Sequence, residues 1–234
     1  MKPLIFDVDG VLCDRGQIIN SDFQNFLLNY LSDKNYYLIT GGDKESTINK
    51  IGIDLVNKAD IGFYCLGNHI NMDGQNFYIN KIELKPEEIE FLTSFITNSN
   101  FQYKTGNNFS QRKGSVNFSV IGSNATIEQR QAYVEYDKNV KERIIIIKQL
   151  MTRFPRLEAF IGGDVSIDIC LRGAHKGHVG MFIPGGYHDT YFFTDRWNES
   201  NREVDFPFAK MVLPSQVMKI TDGYKQTWEI LKTL

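Results

Sequence analysis

Cysteine is scarce in this sequence, and its placement excludes two kinds of fold. The 234 residues include three cysteines, Cys13, Cys65 and Cys170, which lie far apart and form no Cys-x-x-Cys pair. Structural zinc sites and disulfide frameworks both need cysteines at close, repeated spacing. The fold must therefore be stabilised by an apolar core, which a chain of this length with 42% hydrophobic residues can supply.

Strong charge of one sign and long hydrophobic runs are also absent. The formal net charge is −2, so nothing predicts electrostatic steering toward nucleic acid. The densest aliphatic run, Ile144–Ile147, ends at Lys148 and is far too short to span a membrane. The first residues contain neither a basic segment nor an apolar stretch of signal-peptide length. We expect a cytoplasmic protein that binds neither membranes nor nucleic acid.

Apolar strands alternate with helical segments toward both ends of the chain, which is typical of an α/β core with a parallel sheet. Short apolar runs predict buried strands at residues 3–8, 35–40, 61–67, 189–195 and 209–214. Helical spacing of apolar residues predicts helices at residues 23–31, from Lys44 onward and at 224–234.

The middle of the chain has a different pattern. It predicts a helix at 85–97, a strand at 113–122, one long helix at 127–154 and two strands within 157–171. Strands and helices do not alternate regularly here, which favours an α+β insert. We therefore predict a core from residues 1–79 and 173–234, interrupted by an insert from residues 80–172.

Polar residues follow three of the predicted core strands. Asp7 and Asp9 come after the first, Thr40 after the second, and Asp195 after a later one. Because ligands bind at the carboxyl ends of parallel strands, we expect these side chains to meet. One carboxylate can attack phosphorus, a second can transfer a proton and a third can help to hold Mg2+. With a hydroxyl and Lys176 to neutralise the transferred group, the set predicts phosphoryl transfer.

Each of these features also has an ordinary structural explanation. Asp and Gly are common in turns after strands, and Thr40-Gly41-Gly42 is typical of a plain turn. An isolated Lys176 or Asp195 is usually a solvated residue or a strand-end residue. What favours chemistry is that all of these residues occur together, in order, at the predicted strand ends.

Several segments resemble a known family. "DVDGVL" (7–12) is similar to the first motif of the haloacid dehalogenase (HAD) superfamily, "LITGGD" (38–43) takes the place of the second motif, and "TYFFTD" (190–195) resembles the fourth. The segments "NFSVIGSNATIEQRQAYVEYDK" (117–138) and "FIGGDVSIDICLRGAHKG" (160–177) are similar to segments of the eukaryotic-type phosphomannomutases. The resemblance covers nearly the whole chain. It implies a HAD-like Rossmannoid core with an α+β cap inserted after the third core strand.

The resemblance also implies roles for individual positions. Asp7 would be the nucleophile and Asp9 the general acid/base. Mg2+ would be held by Asp7, the backbone carbonyl of Asp9, Asp195 and a later acidic residue. For that last position Glu199, Glu203 and Asp205 compete, and Asp205 aligns best. The transferring phosphoryl group would be bound by Thr40, Gly41 and Lys176. The sugar phosphate would be held by Arg112, Arg130, Ser166, Asp168 and Arg15.

The sequence departs from this family at several places. Ser123 stands where the cap has an arginine, Arg15 is one position away from an expected arginine, and Thr-Asp-Arg at 194–196 replaces Gly-Asp-Lys. Without the family resemblance, Arg112 and Arg130 are better explained as solvated surface residues.

Three functional hypotheses follow. The first is a Mg2+-dependent phosphohexomutase that interconverts hexose 6-phosphate and hexose 1-phosphate, with mannose as the expected sugar. It would use an aspartyl-phosphate enzyme and a hexose 1,6-bisphosphate intermediate. The second is a sugar-phosphate phosphatase, favoured by the loss of the cap arginine at Ser123. The third is a non-catalytic sugar-phosphate-binding protein. The family also implies a homodimer formed through the cap.

Overall fold

The computed structural model describes residues 2–234 and contains two β-sheets. The larger sheet begins near the start of the chain. The first elements are β1 (Leu4–Phe6), α1 (Ser21–Tyr30), β2 (Tyr36–Ile39), α2 (Lys44–Ile51), α3 (Ile53–Lys58) and β3 (Ile61–Tyr64). A hairpin of β4 (His69–Met72) and β5 (Gln75–Ile79) then extends the sheet with antiparallel strands. The strands β1, β2 and β3 are parallel neighbours, as their continuous apolar sequences predict.

The second sheet and its helices occupy the middle of the chain. The elements are α4 (Pro86–Asn98), β6 (Phe109–Gln111), β7 (Val116–Phe118), α5 (Ile127–Val140), α6 (Glu142–Arg153), β8 (Leu157–Ile161) and β9 (Ile167–Leu171). The four strands are antiparallel in the order β6-β7-β9-β8. This sheet has its own apolar core, in which Leu92 of α4 and Ile146 of α6 pack with Phe118 and Ile169. We call residues 80–172 the cap.

The chain then returns to the first sheet. The last elements are β10 (Tyr191–Thr194), α7 (Phe206–Ala209), β11 (Val217–Lys219) and α8 (Gly223–Leu231). The order of the seven-stranded sheet is β11-β10-β1-β2-β3-β4-β5, and β10 is parallel to both β1 and β11. Because β1 lies between β10 and β2, the residues after these three strands share one edge of the sheet.

Both faces of the core sheet are covered. Leu4 and Phe6 of β1 pack in a cluster with Phe23 of α1 and Leu231 of α8. Ile5 points to the opposite face, into a cluster with Phe208 of α7. All three residues of β1 are fully buried, which explains why this strand has no polar alternation.

Two predicted elements are wrong, and local contacts explain both. The predicted helix at 127–154 is two helices, broken at Lys141, which has a left-handed φ of 58°. The Asp137 carboxylate accepts a hydrogen bond from the Arg143 N–H (2.9 Å) and so satisfies the start of α6. The predicted strand at 209–214 is instead the end of α7 and a turn, because the Asp205 carbonyl accepts N–H bonds from Phe208 and Ala209.

The β4–β5 hairpin is absent from the sequence prediction, although a signal for it exists. Asp73 and Gly74 form its turn, both with positive φ, and Asp-Gly between two strands is typical of a two-residue hairpin. Among residues 2–234, no helix combines the length and the apolar character needed to cross a membrane.

Candidate active site

Asp7 follows β1 directly and lies at the centre of the site. The residue is 5% exposed, and its Oδ1 accepts a hydrogen bond from Nζ of Lys176 (2.9 Å). Burial, and next the negative charge of Asp205, raise the pKa of Asp7 to about 7 even though Lys176 opposes the shift. The carboxylate is therefore poorly solvated and close to a single cation, as suits a nucleophile whose charge is neutralised when it reacts.

Lys176 is held from several sides. It is 1% exposed, and its ammonium donates to Asp7, to Asp205 and to the backbone carbonyl of Ile39 (3.4 Å). Burial lowers its pKa, but the charges of Asp205 and Asp7 outweigh burial, so that its pKa is raised overall. Lys176 therefore stays charged beside Asp7, where it can stabilise a phosphoryl group.

Asp195 and Asp205 complete an acidic cluster with Asp7. Asp205 is fully buried, and its second oxygen accepts a hydrogen bond from the hydroxyl of Thr194 (2.7 Å). Asp195 accepts from Arg15 through Oδ2, while its buried Oδ1 has no hydrogen-bond partner among the described residues. Burial is the largest cause that raises the pKa of both carboxyls.

This cluster fits a hard divalent cation. One oxygen from each of Asp7, Asp195 and Asp205 lies within 4.8 Å of the others. Carboxylate oxygens are the ligands that Mg2+ prefers, and the unpartnered Oδ1 of Asp195 would gain a partner from the ion. Of the three acidic residues considered for the last position, the structure places Asp205 in the cluster.

Gly10 lets Asp195 approach the turn after β1. Its φ is +83°, and a Cβ atom at this position would lie 2.2 Å from Oδ2 of Asp195. Any side chain here would strain the backbone and displace the carboxylate. The glycine of the Asp-Val-Asp-Gly segment is therefore a structural requirement of the acidic cluster.

Asp9 faces the cavity and is paired with a lysine that sequence reasoning missed. Nζ of Lys50, in the last turn of α2, donates to both carboxylate oxygens of Asp9 (2.7 and 2.5 Å). The backbone carbonyl of Lys50 accepts from the Ile19 N–H (2.8 Å), which ties α2 to the segment after β1. No pattern in the sequence separates Lys50 from an ordinary lysine near the end of a helix.

Thr40 and Gly41 follow β2, as predicted. Thr40 is 2% exposed, and its Oγ1 accepts a hydrogen bond from the Gly42 N–H (3.1 Å). The carbonyl of Gly41 accepts from Nη1 of Arg112, a cap residue (2.5 Å). A Cβ on Gly41 would lie 2.9 Å from Oδ2 of Asp168, so the cap approaches the core closely at this point.

The cap contributes the opposite wall of the site. Arg112 also contacts Oδ1 of Asp168 (3.3 Å), and that oxygen accepts from the amide of Asn117 (2.7 Å). Arg130 donates to the backbone carbonyls of Ala125 and Ser123, both at 3.3 Å. The side chain of Ser123 is in an exposed turn and does not line the cavity.

Ser166 lies in a loop that a buried ion pair fixes. Its Oγ accepts from the Gly163 N–H (3.3 Å). Nη1 of Arg143 donates to the carbonyls of Gly163 (2.9 Å) and Ser166 (3.3 Å), while its Nε donates to Asp137 (2.9 Å). The pair of Arg143 and Asp137 is thus a structural support of the cap wall that sequence reasoning missed.

Core and cap together enclose one cavity of about 1170 Å3. Its lining includes most of the predicted residues: Asp7, Asp9, Arg15, Thr40, Gly41, Arg112, Arg130, Ser166, Asp168 and Lys176. Asp195 and Asp205 lie behind this wall, in contact with Arg15 and Lys176 respectively. Lys50, Arg196 and Asp164 also line it, although none was predicted.

Comparisons with known proteins identify the family of this chain. A profile of the eukaryotic phosphomannomutase family matches residues 23–233. The chain belongs to the eukaryotic phosphomannomutase family. The resemblance seen in its motifs is thereby confirmed, and the chain is a phosphomannomutase-like enzyme.

Individual members of this family are similar along the whole chain. A phosphomannomutase of Spinacia oleracea is 26% identical over 99% of this chain and 98% of its own length. One of Saccharomyces cerevisiae is 25% identical over 97% and 93% respectively. These alignments extend beyond the profile match, which begins after Asp7 and Asp9.

The fold class is confirmed by solved structures. A structure described as a phosphatase of the haloalkanoate (HAD) superfamily from Bacteroides thetaiotaomicron has a TM-score of 0.60 with this chain, at 15% identity. The similarity covers 100% of this chain and 94% of that one. The family member described here therefore has the HAD-like Rossmannoid core with a cap.

Proposed function

We propose that this protein is a Mg2+-dependent phosphohexomutase that interconverts hexose 6-phosphate and hexose 1-phosphate, with mannose as the sugar. One observation carries the proposal. A carboxylate beside a buried lysine and a second carboxylate two residues later face a wall of cap arginines, serine and aspartate across a single cavity. A mutase needs both walls, because one phosphate must react while the other is held.

The first half-reaction begins with a phosphoryl group on Asp7. The bond between phosphorus and the Asp7 oxygen breaks as a sugar hydroxyl attacks, and Asp9 accepts the hydroxyl proton. The product is a hexose bisphosphate. After this intermediate turns around, Asp7 attacks the other phosphorus, and Asp9 returns its proton to the departing sugar oxygen. The second half-reaction is the reverse of the first at the other phosphate, so the enzyme ends in its starting phosphorylated state, as an isomerisation requires.

Fixed charges support each transfer. Lys176 neutralises the phosphoryl oxygens, and the buried Thr40 is placed to donate a hydrogen bond to them. Asp7, Asp195 and Asp205 would hold Mg2+, which supplies further neutralisation of charge at the phosphoryl group.

The cap would hold the phosphate that does not react. A guanidinium group can donate two parallel hydrogen bonds to phosphate oxygens, and the Arg112 and Arg130 side chains line the cap wall of the cavity. Ser166 and Asp168 are suited to sugar hydroxyls. The predicted homodimer through the cap and the cytoplasmic location stay predictions.

A sugar-phosphate phosphatase is the second candidate, and one observation favours it. Ser123 lies outside the cavity lining, so the cap offers two arginines to the distal phosphate. A loosely held bisphosphate would leave before it turns around, and water would then take the phosphoryl group from Asp7.

Incubation with mannose 1-phosphate, with and without a hexose 1,6-bisphosphate, separates these functions. Formation of mannose 6-phosphate supports the mutase. Formation of free mannose and inorganic phosphate supports the phosphatase. If neither mannose 6-phosphate nor free mannose forms, both functions are contradicted. Asp7→Asn is the matched control, because it should form neither product.

A further inference from the structure

The segment of residues 196–204, which we call the connector, joins two members of the acidic cluster. Asp195 precedes it and Asp205 follows it. The Asp205 N–H donates to the carbonyl of Arg196 (3.0 Å), so the two ends of the connector are hydrogen-bonded to each other beside the acidic cluster. The positions of both carboxylates therefore depend on how this segment is held.

The connector is held by the cap. The Ile161 N–H donates to the carbonyl of Arg202 (2.9 Å), and the Val204 N–H donates to the carbonyl of Ile161 (3.2 Å). These bonds form a short parallel bridge along β8, which is the edge strand of the cap sheet. Part of a core loop thus extends the sheet of the cap.

Arg202 strengthens this attachment with its side chain. Its Nε donates to the carbonyl of Ala159 (3.2 Å), and its Nη2 is 3.4 Å from Oε1 of Glu158. Its guanidinium lies 5.0 Å from the ring centre of Phe160. All three contacts are with residues of β8, so the Arg202 side chain joins the connector to the cap.

A second attachment lies at the other end of the connector. Nη2 of Arg196 donates to Oδ1 of Asp164 in the cap (3.0 Å). The same oxygen is 3.8 Å from Nε of Arg15, whose terminal nitrogen donates to Asp195. Asp195 is therefore connected to the cap through side chains as well as through the connector backbone.

We propose that the connector makes the Mg2+ affinity of the acidic cluster depend on docking of the cap, with Arg202 as the positioning residue. The inference rests on the metal assignment of the proposed function. A sugar phosphate that favours the docked cap should raise the affinity for Mg2+. By linkage, Mg2+ should raise the affinity for the sugar phosphate by the same factor.

The chain contains a suitable optical reporter. Trp197 lies within the connector, partly buried and near Nζ of Lys219 (5.6 Å). The other tryptophan, Trp228, has a buried Nε1 without a hydrogen-bond partner among the described residues. Trp228→Phe keeps an aromatic ring against Phe23 and Phe26 and removes no hydrogen bond, and it leaves Trp197 as the single reporter.

The experiment measures the dissociation constant of Mg2+ by Trp197 fluorescence in the Trp228→Phe protein, with and without saturating mannose 6-phosphate. The ratio of the two constants is the coupling. It is compared with the ratio in the same protein carrying Arg202→Gln. The matched control is Arg153→Gln, which changes an exposed arginine at the end of α6 whose guanidinium lies over the rings of Phe91 and Phe154 and not against the connector.

We expect Arg202→Gln to reduce the coupling about tenfold, within the usual range for linked sites, and Arg153→Gln to leave it unchanged. Direct contact between the sugar phosphate and Mg2+ contributes equally to all three proteins and cancels. If Mg2+ binds but the ratio is the same in Arg202→Gln, the inference is wrong and the proposed function is unaffected. If Mg2+ does not bind to the parent protein, the metal assignment and the inference both fail.

Glu158→Gln provides the same test from the cap side. It weakens the pairing with Arg202 without changing the connector. A similar loss of coupling supports the inference, and an unchanged ratio in a folded Glu158→Gln protein overturns it. Near-ultraviolet circular dichroism checks that each variant is folded.

Discussion

Asp7→Asn should abolish turnover and, in the metal-free protein, raise stability at high pH. The substitution keeps the size of the side chain but removes its charge. An amide cannot attack phosphorus, so we expect no turnover of mannose 1-phosphate. Because the carboxylate is buried beside Asp205, its ionisation is costly in the folded protein, and the pKa of Asp7 is raised to about 7.

The sign and size of the stability effect follow from this pKa. As the pH rises past 3.8, the unfolded chain loses the Asp7 proton while the folded protein keeps it until about pH 7. The unfolded state then binds fewer protons, so this group lowers the free energy of unfolding as the pH rises. The full difference between 3.8 and about 7 corresponds to at most ~4 kcal/mol.

Urea denaturation in EDTA at about pH 5 and about pH 8.5 measures the effect. Most of the penalty from ionising Asp7 lies between these conditions, and Lys176 loses one of its two carboxylate partners in the variant. We therefore expect the stability of Asp7→Asn relative to the parent to increase by ~1–3 kcal/mol from the lower to the higher pH. Added Mg2+ should reduce this advantage, because the parent has one more ligand for the ion.

A constant difference between the two proteins across this pH range would refute the reasoning. Asp7 would then be ionised throughout, and Lys176 rather than burial would determine its charge. Unimpaired turnover in Asp7→Asn would remove the nucleophile assignment itself.

Four further changes test other parts of the site. Asp9→Asn should lower kcat by roughly 10²–10⁴-fold with little change in KM, because an acid/base acts in the transition state; a change confined to KM would contradict its role. EDTA should abolish turnover and Mg2+ should restore it, whereas full activity in chelator would exclude a metal at the acidic cluster. Lys50→Met should lower kcat by about 10–100-fold, as expected for the loss of a charge-assisted contact with Asp9, and Lys50→Arg should recover part of the activity; equal activities would show that the pair has no role in turnover. Arg143→Met should destabilise the protein by ~3–5 kcal/mol in urea denaturation by leaving Asp137 buried without its partner, and Asp137→Leu in the same chain should relieve much of this cost; the absence of a loss would mean that the pair does not support the cap wall.

The predicted residues at the strand ends met because local sequence determines their placement. Continuous apolar runs produce buried parallel strands, and such strands end at one edge of a sheet. Asp7, Thr40 and Asp195 directly follow β1, β2 and β10, which are neighbours in that sheet. The cap positions Arg112, Arg130, Ser166 and Asp168 came from family motifs, since an arginine on a helix or strand has no local pattern that separates a ligand from a solvated residue.

Other features were decided by specific hydrogen-bond and ion-pair partners that hydrophobic periodicity does not reveal. The break at Lys141 depends on the pairing of Asp137 with Arg143, and helical periodicity alone continues through it. The start of α7 depends on Asp205, whose carbonyl accepts N–H bonds from Phe208 and Ala209 and whose carboxylate is held by Lys176 and Thr194. A one-dimensional pattern carries no information about such partners, because each is selected by tertiary packing.

The sequence by itself therefore predicted the core strands β1, β2, β3 and β10, the polar residues that follow β1, β2 and β10, and the existence of an irregular insert. The tertiary structure alone decided which lysine faces Asp9 and that Arg202 connects the acidic loop to the edge of the cap sheet. It also placed Asp205, which the family motif already favoured, beside Asp7 and Asp195. The physical reason is the separation along the chain over which each effect acts. Backbone patterns with periods of two and 3.6 residues are local, whereas hydrogen bonds and ion pairs between side chains depend on where the whole fold places their partners.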